Sequence, residues 1–222
     1  MAGSRQRYGA LLLALFATFF FAGIAEPSDA QRVVGTILVG ATLMLALYAA
    51  EMSPRRLRIA SAAILTAVVA MVVMSIVGNG RAVVAIAAFG NAALVALAPP
   101  AVVIGVMHNL RAKGSVTVTV VAGALCLYLL LGLFFAFIYT GIENVSGNPF
   151  FANGASATSA RSVYFSFVTL ATLGYGDYTA RSNLGHTLSM TEALLGQIYL
   201  VTVVATIVSR LAPTRGVAAR ER

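Results

Sequence analysis

Six apolar runs set the limits on what this chain can become. They cover residues 8–25, 33–50, 57–77, 82–107, 116–139 and 184–211, the fourth interrupted by Pro99-Pro100. A helix needs roughly 20 apolar residues to cross a bilayer, and backbone in lipid must satisfy its own hydrogen bonds. The runs therefore read as transmembrane helices, and the chain as an all-α, multi-pass integral membrane protein. Composition agrees. Charged residues make up 10% of the chain, against about 25% in a soluble domain. Hydrophobic residues make up 59%, and the mean hydropathy is +0.90. This balance excludes a disordered chain, a nucleic-acid-binding domain and an ordinary cytosolic enzyme. The net charge of +8 sits in short segments between the runs, where topology accounts for it. The single cysteine, Cys126, allows no intrachain disulfide.

Lys and Arg concentrate on the cytoplasmic side of membrane helices. Arg5 and Arg7 precede the first run; Arg55, Arg56 and Arg58 join the second and third; Arg111 and Lys113 join the fourth and fifth; Arg210, Arg215, Arg220 and Arg222 follow the sixth. The other side holds Arg32, Arg81, Arg161 and Arg181. Eleven against four places both termini in the cytoplasm, most simply of a cell-membrane protein, and sends the segment between the fifth and sixth runs outward. The first run has a competing reading as a secretory signal ending near Gly23-Ile24-Ala25, but it is longer than most signal cores, which favours a retained helix.

The outward segment contains Ser162-Val-Tyr-Phe-Ser-Phe-Val-Thr-Leu-Ala-Thr-Leu-Gly-Tyr-Gly-Asp177. Residues 162–171 form an apolar helical stretch too short to span, with Thr158, Ser159 and Ser162 available to cap it. The glycines that follow, Gly174 and Gly176, weaken helix and strand alike and permit positive φ. Non-helical backbone at membrane depth survives only where protein buries it or where it lines a watery cavity. The pattern predicts a re-entrant loop: a half-helix going in and an extended strand coming out. The C-terminal end of such a half-helix points at the membrane centre and favours a cation there.

This run resembles the pore helix and selectivity filter of potassium channels, with TLGYGD where the family signature is TVGYGD. The resemblance covers the two-helix pore unit and reaches Gly196, where many family members carry an inner-helix glycine hinge. It implies a homotetramer around a central pore, with an outer helix at about 116–139, a pore helix at about 162–171, a filter at 172–177 and an inner helix at about 184–211. Backbone carbonyls of Thr172, Leu173, Gly174 and Tyr175, with the Thr172 hydroxyl, replace the hydration shell of K⁺. Gly174 and Gly176 serve backbone conformation, and the Leu173 and Tyr175 side chains point away from the ions and brace the strand. Asp177 lies just outside the filter, with Tyr164 the best-placed aromatic to hydrogen-bond it. Leu173 departs from the usual Val or Ile, and Tyr178-Thr-Ala-Arg181 lacks the proline that relatives often have there.

Residues 1–110 then form a four-helix transmembrane domain ahead of a pore domain at 111–222. A voltage sensor needs a helix with Arg or Lys at every third position. The fourth run has none, Arg81 lying at its outer edge, so this is no arginine-type voltage sensor. Asn91 within it is expected to bond a neighbouring helix, and Pro99-Pro100 to bend or break it. Glu192 is a costly intramembrane carboxylate; it either accepts hydrogen bonds from the back of the pore helix or faces wet protein interior. Gln197 either faces the cavity below the filter or packs between helices. Leu200, Val204 and Val208 recur once per turn, as an inner constriction or as ordinary packing. His186 and His108 read as interfacial.

The leading function is a potassium-selective channel. The alternatives are a weakly selective cation channel of the same build, because of Leu173, and a non-conducting pore-loop subunit or scaffold. Partners are K⁺, membrane lipid and further copies of the chain, with no nucleic acid and no cofactor beyond the K⁺ in the filter. Intramembrane Ser-Lys, paired-Asp and His-rich metal motifs are missing from the sequence, so an enzyme is not expected.

Overall fold

The computed structural model describes residues 2–49, 54–78, 80–113 and 118–211. The described residues are almost entirely helical: α1 (Ala2–Ile24), α2 (Asp29–Ala49), α3 (Pro54–Val77), α4 (Arg81–Lys113), α5 (Val118–Ser146), α6 (Ser159–Leu170) and α7 (Asn183–Leu211). Five of these, α1 to α5, are long and apolar enough to cross a membrane. Helix α6 has 12 residues and is too short to do so.

The buried positions follow from helical spacing. Tyr8, Leu11, Leu15, Thr18 and Ala22 are buried, and steps of three and four put them on one stripe of α1. That stripe packs on α2 and α5 and reaches α6. Helix α4 lies along α5 and also touches α2 and α3. Its buried face includes Ala85, Ala88, Ala92 and Ala98, small side chains that let membrane helices approach closely. One polar link crosses this region in the place expected for it: Asn91 Nδ2 donates to Thr36 Oγ1 of α2 at 3.1 Å.

Of the bend or break expected at the proline pair, the break does not occur. The helix runs unbroken from Arg81 to Lys113 through Pro99 and Pro100. Two prolines remove two backbone donors, but Ala98, Ala101 and Val102 beside them lie in the main core, and that packing holds the turn. Helix α5 extends past the expected 139 to Ser146. Thr140 and Asn144 donate to the carbonyls one turn back, Ala136 O at 3.1 Å and Thr140 O at 2.8 Å. Helix α6 begins at Ser159 rather than 162 and ends at Leu170 rather than 171, because Thr158 is its N-cap and accepts from Arg161 N.

Two packed clusters result. The larger joins α1, α2, α3, α4 and α5 and takes in Val163 of α6. The smaller gathers Phe135, Tyr139, Phe150, Phe151, Phe165 and Ala180 around the outer half of α6.

Candidate functional site

The segment after α6, expected as an extended strand, is instead irregular backbone, called the strand below only for its place in the chain, and it leaves its helix by short backbone bonds. Ala171 N donates to Phe167 O, Thr172 N to Thr169 O and Leu173 N to Val168 O, at 3.0, 2.9 and 2.9 Å. Three alternate residues then adopt left-handed backbone: Thr172 at φ 54°, Gly174 at 55° and Gly176 at 80°. Glycine takes this conformation freely. Threonine does not, and a β-branched residue there is a genuine outlier of the kind that costs about 1–3 kcal/mol and collects at functional sites. Thr172 is the single non-glycine residue with positive φ among the described residues.

Among the described residues, no hydrogen bond reaches the carbonyls of Thr172, Leu173, Gly174, Tyr175 or Gly176. All residues from Thr172 to Asp177 are exposed in a single chain. Leu173 and Tyr175 are 56% and 67% exposed, so no part of the same chain covers these two large side chains.

The back of the strand and α6 are, by contrast, tied down. The Tyr164 hydroxyl hydrogen-bonds Asp177, which raises the phenol above its ordinary range. The Asp177 carbonyl accepts from Asn153 Nδ2 at 3.1 Å. Phe151 and Ala180 form an antiparallel bridge, flanked by Ala152 N to Thr179 O and Arg181 N to Phe150 O, both 2.9 Å. Tyr139, Phe150, Phe151 and Phe165 stack into one aromatic wall, with centroids 4.9 to 5.3 Å apart across its closest pairs. His186 Nε2 lies 2.7 Å from Ala180 O, so this ring is held to the segment that follows the strand.

Below the strand, α7 touches α6 directly. A Cβ added at Gly196 would stand 2.5 Å from the Leu170 carbonyl oxygen and 2.8 Å from Leu170 Cδ1. Glycine is therefore required there for close approach, and α7 runs straight through it. Next to it, Gln197 Nε2 donates to Thr172 Oγ1 at 3.1 Å, so this exposed amide reaches the first residue of the strand. Glu192, four residues before Gly196, is fully buried behind α6. It accepts from the Tyr139 hydroxyl at 2.6 Å and meets the Ser166 hydroxyl. Of the surroundings read from the sequence, contact with the back of α6 is the one observed. Leu200 is exposed at 37%. The side chains of Val204, Val208 and His108 lie outside the described residues.

An ion-channel family model matches residues 115–212. No curated protein and no solved structure matches the chain. The match spans α5, α6, the strand and α7, and leaves α1 to α4 outside. It supports an ion-channel pore family for this stretch, with passive ion movement as its task. Together with the five apolar helices, it makes the protein an integral membrane protein whose environment is lipid and whose cargo is ions.

Several residues that shape the ion-channel stretch carry no signal in the sequence. Glu143 is buried and its Oε2 accepts from Phe150 N at 2.9 Å and Ala157 N at 2.6 Å, folding the outer loop around one carboxylate. Arg81 Nη1 donates to Gly147 O at 2.7 Å, linking α4 to that loop. Phe19 of α1 packs edge-on against Phe167 of α6, centroids 4.8 Å apart. A Cβ at Gly132 would stand 2.5 Å from the same Phe167 ring. Glu143 sits in the last turn of α5, and its bonds, like those of the others, depend on partners that the local sequence does not mark.

Proposed function

We propose that the chain is a potassium-selective channel, conducting through a pore formed by four copies. The observation that carries this reading is the alternation of left-handed residues at Thr172, Gly174 and Gly176, with carbonyls that receive no hydrogen bond among the described residues. Backbone oxygens left without donors at membrane depth need either a protein cover or a hydrated cargo. A cation that exchanges its water shell for these oxygens meets the need. In this reading K⁺ sits at the levels of Thr172, Leu173, Gly174 and Tyr175, with Gly176 completing the strand. One strand supplies a single wall, so other copies complete the ring and cover Leu173 and Tyr175.

Helix α7 is then the sixth span. Its 29 residues extend to about 43 Å, beyond the roughly 30 Å hydrocarbon core. Both termini lie in the cytoplasm of a cell-membrane protein, and residues 1–110 pack around the pore domain at 111–222. In this reading Gly196 is the inner-helix hinge, with Leu200 and Val204 one and two turns beyond it as the gate. A weakly selective cation channel is the second reading, favoured by the bulk of Leu173 behind the strand.

The test is K⁺ against Na⁺ flux through purified protein in liposomes, beside Gly174→Ala. Strong K⁺ preference, lost in the variant, is expected. Comparable flux of both ions in the wild type selects the second reading. A protein that is not a tetramer and passes neither ion overturns both.

A further inference from the structure

Glu192 sits where three helices of the pore unit meet, and the hydrogen positions around it can be counted. Tyr139 of α5 donates its single hydroxyl proton to Glu192 Oε2 at 2.6 Å. Ser166 of α6 also has a single hydroxyl proton, yet it faces two close acceptors: the Gly132 carbonyl at 2.7 Å and Glu192 Oε1. A carbonyl oxygen cannot donate. With a carboxylate at 192, one of the two Ser166 contacts is oxygen against oxygen with no proton between them. A neutral carboxylic acid removes the conflict. Oε1–H donates to Ser166, Ser166 donates to Gly132 O, and Tyr139 donates to Oε2. Every short contact then holds one proton.

The surroundings agree with this count. Glu192, Ser166 and Tyr139 are each exposed by 0%. The titratable groups facing the carboxyl are Tyr139 and Tyr128 of α5. From α6 it meets Ser166, and on its own helix Ser189 adjoins the Tyr139 hydroxyl. No cationic side chain among the described residues faces it. An ionised carboxylate buried without a counter-charge is among the costliest groups a protein can hold.

The position of the link matters for the pore. Helix α7 meets α6 through Glu192 at Ser166 and through Gly196 at Leu170. Both pairs step by four residues, so one face of α7 rides along the lower turn of α6. The strand begins two residues after Leu170. We infer that Glu192 is carried as the neutral acid and is the positioning residue that fastens the pore helix, and through it the filter strand, to the outer and inner helices. The fastening role rests on the proposed pore; the neutral acid does not.

Infrared spectra of the purified protein and of Glu192→Gln test the first half. The difference spectrum is expected to show the carbonyl stretch of a neutral carboxylic acid, shifted in Ser166→Ala where its acceptor is gone. A carboxylate band pair in its place overturns the neutral acid. Ion flux tests the second half. Glutamine can donate to Ser166 and accept from Tyr139, so Glu192→Gln is expected to retain wild-type flux. Glu192→Ala leaves the Tyr139 and Ser166 hydroxyls without their partner and is expected to lower flux roughly tenfold. Ser166→Ala breaks the same link with less disturbance, and reads it should the Glu192→Ala protein fail to fold. Wild-type flux in both alanine variants overturns the positioning role, and loss of flux in Glu192→Gln equal to that in Glu192→Ala shows that the charge is needed. A wild-type protein that carries no ion but shows the neutral-acid band defeats the pore reading alone.

Discussion

Helices α1 to α4 and the unit formed by α5, α6 and α7 are held by different forces. The first four meet mainly through apolar side chains such as Leu11, Leu15, Leu43, Ala46 and Leu94. Among the described residues, side-chain hydrogen bonds between them include Asn91 to Thr36 at 3.1 Å and a long Thr18–Thr42 contact at 3.4 Å. Around the filter strand, directional side-chain bonds recur in layer after layer. Glu143 gathers two loop amides, Asn153 and Tyr164 hold Asp177, Gln197 reaches Thr172, and Glu192 bridges α5 to α6. Apolar contact has no preferred direction and permits small slips. A strand whose own carbonyls go without donors, and whose Thr172 sits in a strained conformation, needs side chains to hold it. Polar ties are therefore concentrated where backbone geometry matters and are few where packing suffices.

The largest effect on this contrast is expected from Gly196→Ala. Its Cβ meets the Leu170 carbonyl at 2.5 Å, and overpacking of this kind costs about 1–3 kcal/mol. K⁺ flux in liposomes should fall by about tenfold or more, and the K⁺/Na⁺ ratio should fall with it, because the pore helix has to move. A hinge alone predicts reduced opening with an unchanged ratio, so that result would assign Gly196 to gating and weaken the close-approach reading. Next comes Glu143→Ala. Two backbone amides lose a carboxylate acceptor, and thermal unfolding in detergent should show a lower Tm. An unchanged Tm means that the loop is held by its aromatic contacts instead.

Phe19→Ala tests whether the two regions are separable at all. The ring lies against Phe167 and is half-buried, so the cost should be about 2 kcal/mol, less than for a fully buried Phe. Stability should drop while ion selectivity stays as in the wild type. Loss of selectivity would show that α1 is part of the filter scaffold and dissolve the contrast. The smallest change is expected from Asn91→Leu. A single inter-helix hydrogen bond in a membrane is worth about 0.6 kcal/mol, and a Tm shift near the limit of measurement is the expected outcome. A large shift would mean that α1 to α4 depend on polar ties after all.

The helices were legible because their signals are local. Long apolar runs announce the long apolar helices, and alternating glycines after a short apolar run announce the left-handed positions at Gly174 and Gly176, all within a few residues of one another. Thr158 as the cap of α6 belongs to the same class, since a cap and its helix are neighbours in the chain. The proline pair shows the limit of that reasoning. Pro99 and Pro100 remove helix donors by local chemistry, but Ala98, Ala101 and Val102 are packed in the core and the helix continues. The same limit applies to Gly196, whose close approach to Leu170 cannot be read from its neighbours in the chain.

Chain chemistry alone thus specifies the long apolar helices, the short helix α6 and the alternating conformational freedom of the segment after it. Each of these depends on the hydrophobicity, length or steric freedom of adjacent residues. The polar scaffold behind the strand belongs to the folded state. Glu192 and Tyr139 are 53 residues apart, Arg81 and Gly147 are 66, and Gln197 and Thr172 are 25. A carboxylate, a phenol and a hydroxyl carry no mark of one another along the chain. They become partners when the helices bring them together out of water, where an unpaired polar group costs more than the order needed to pair it.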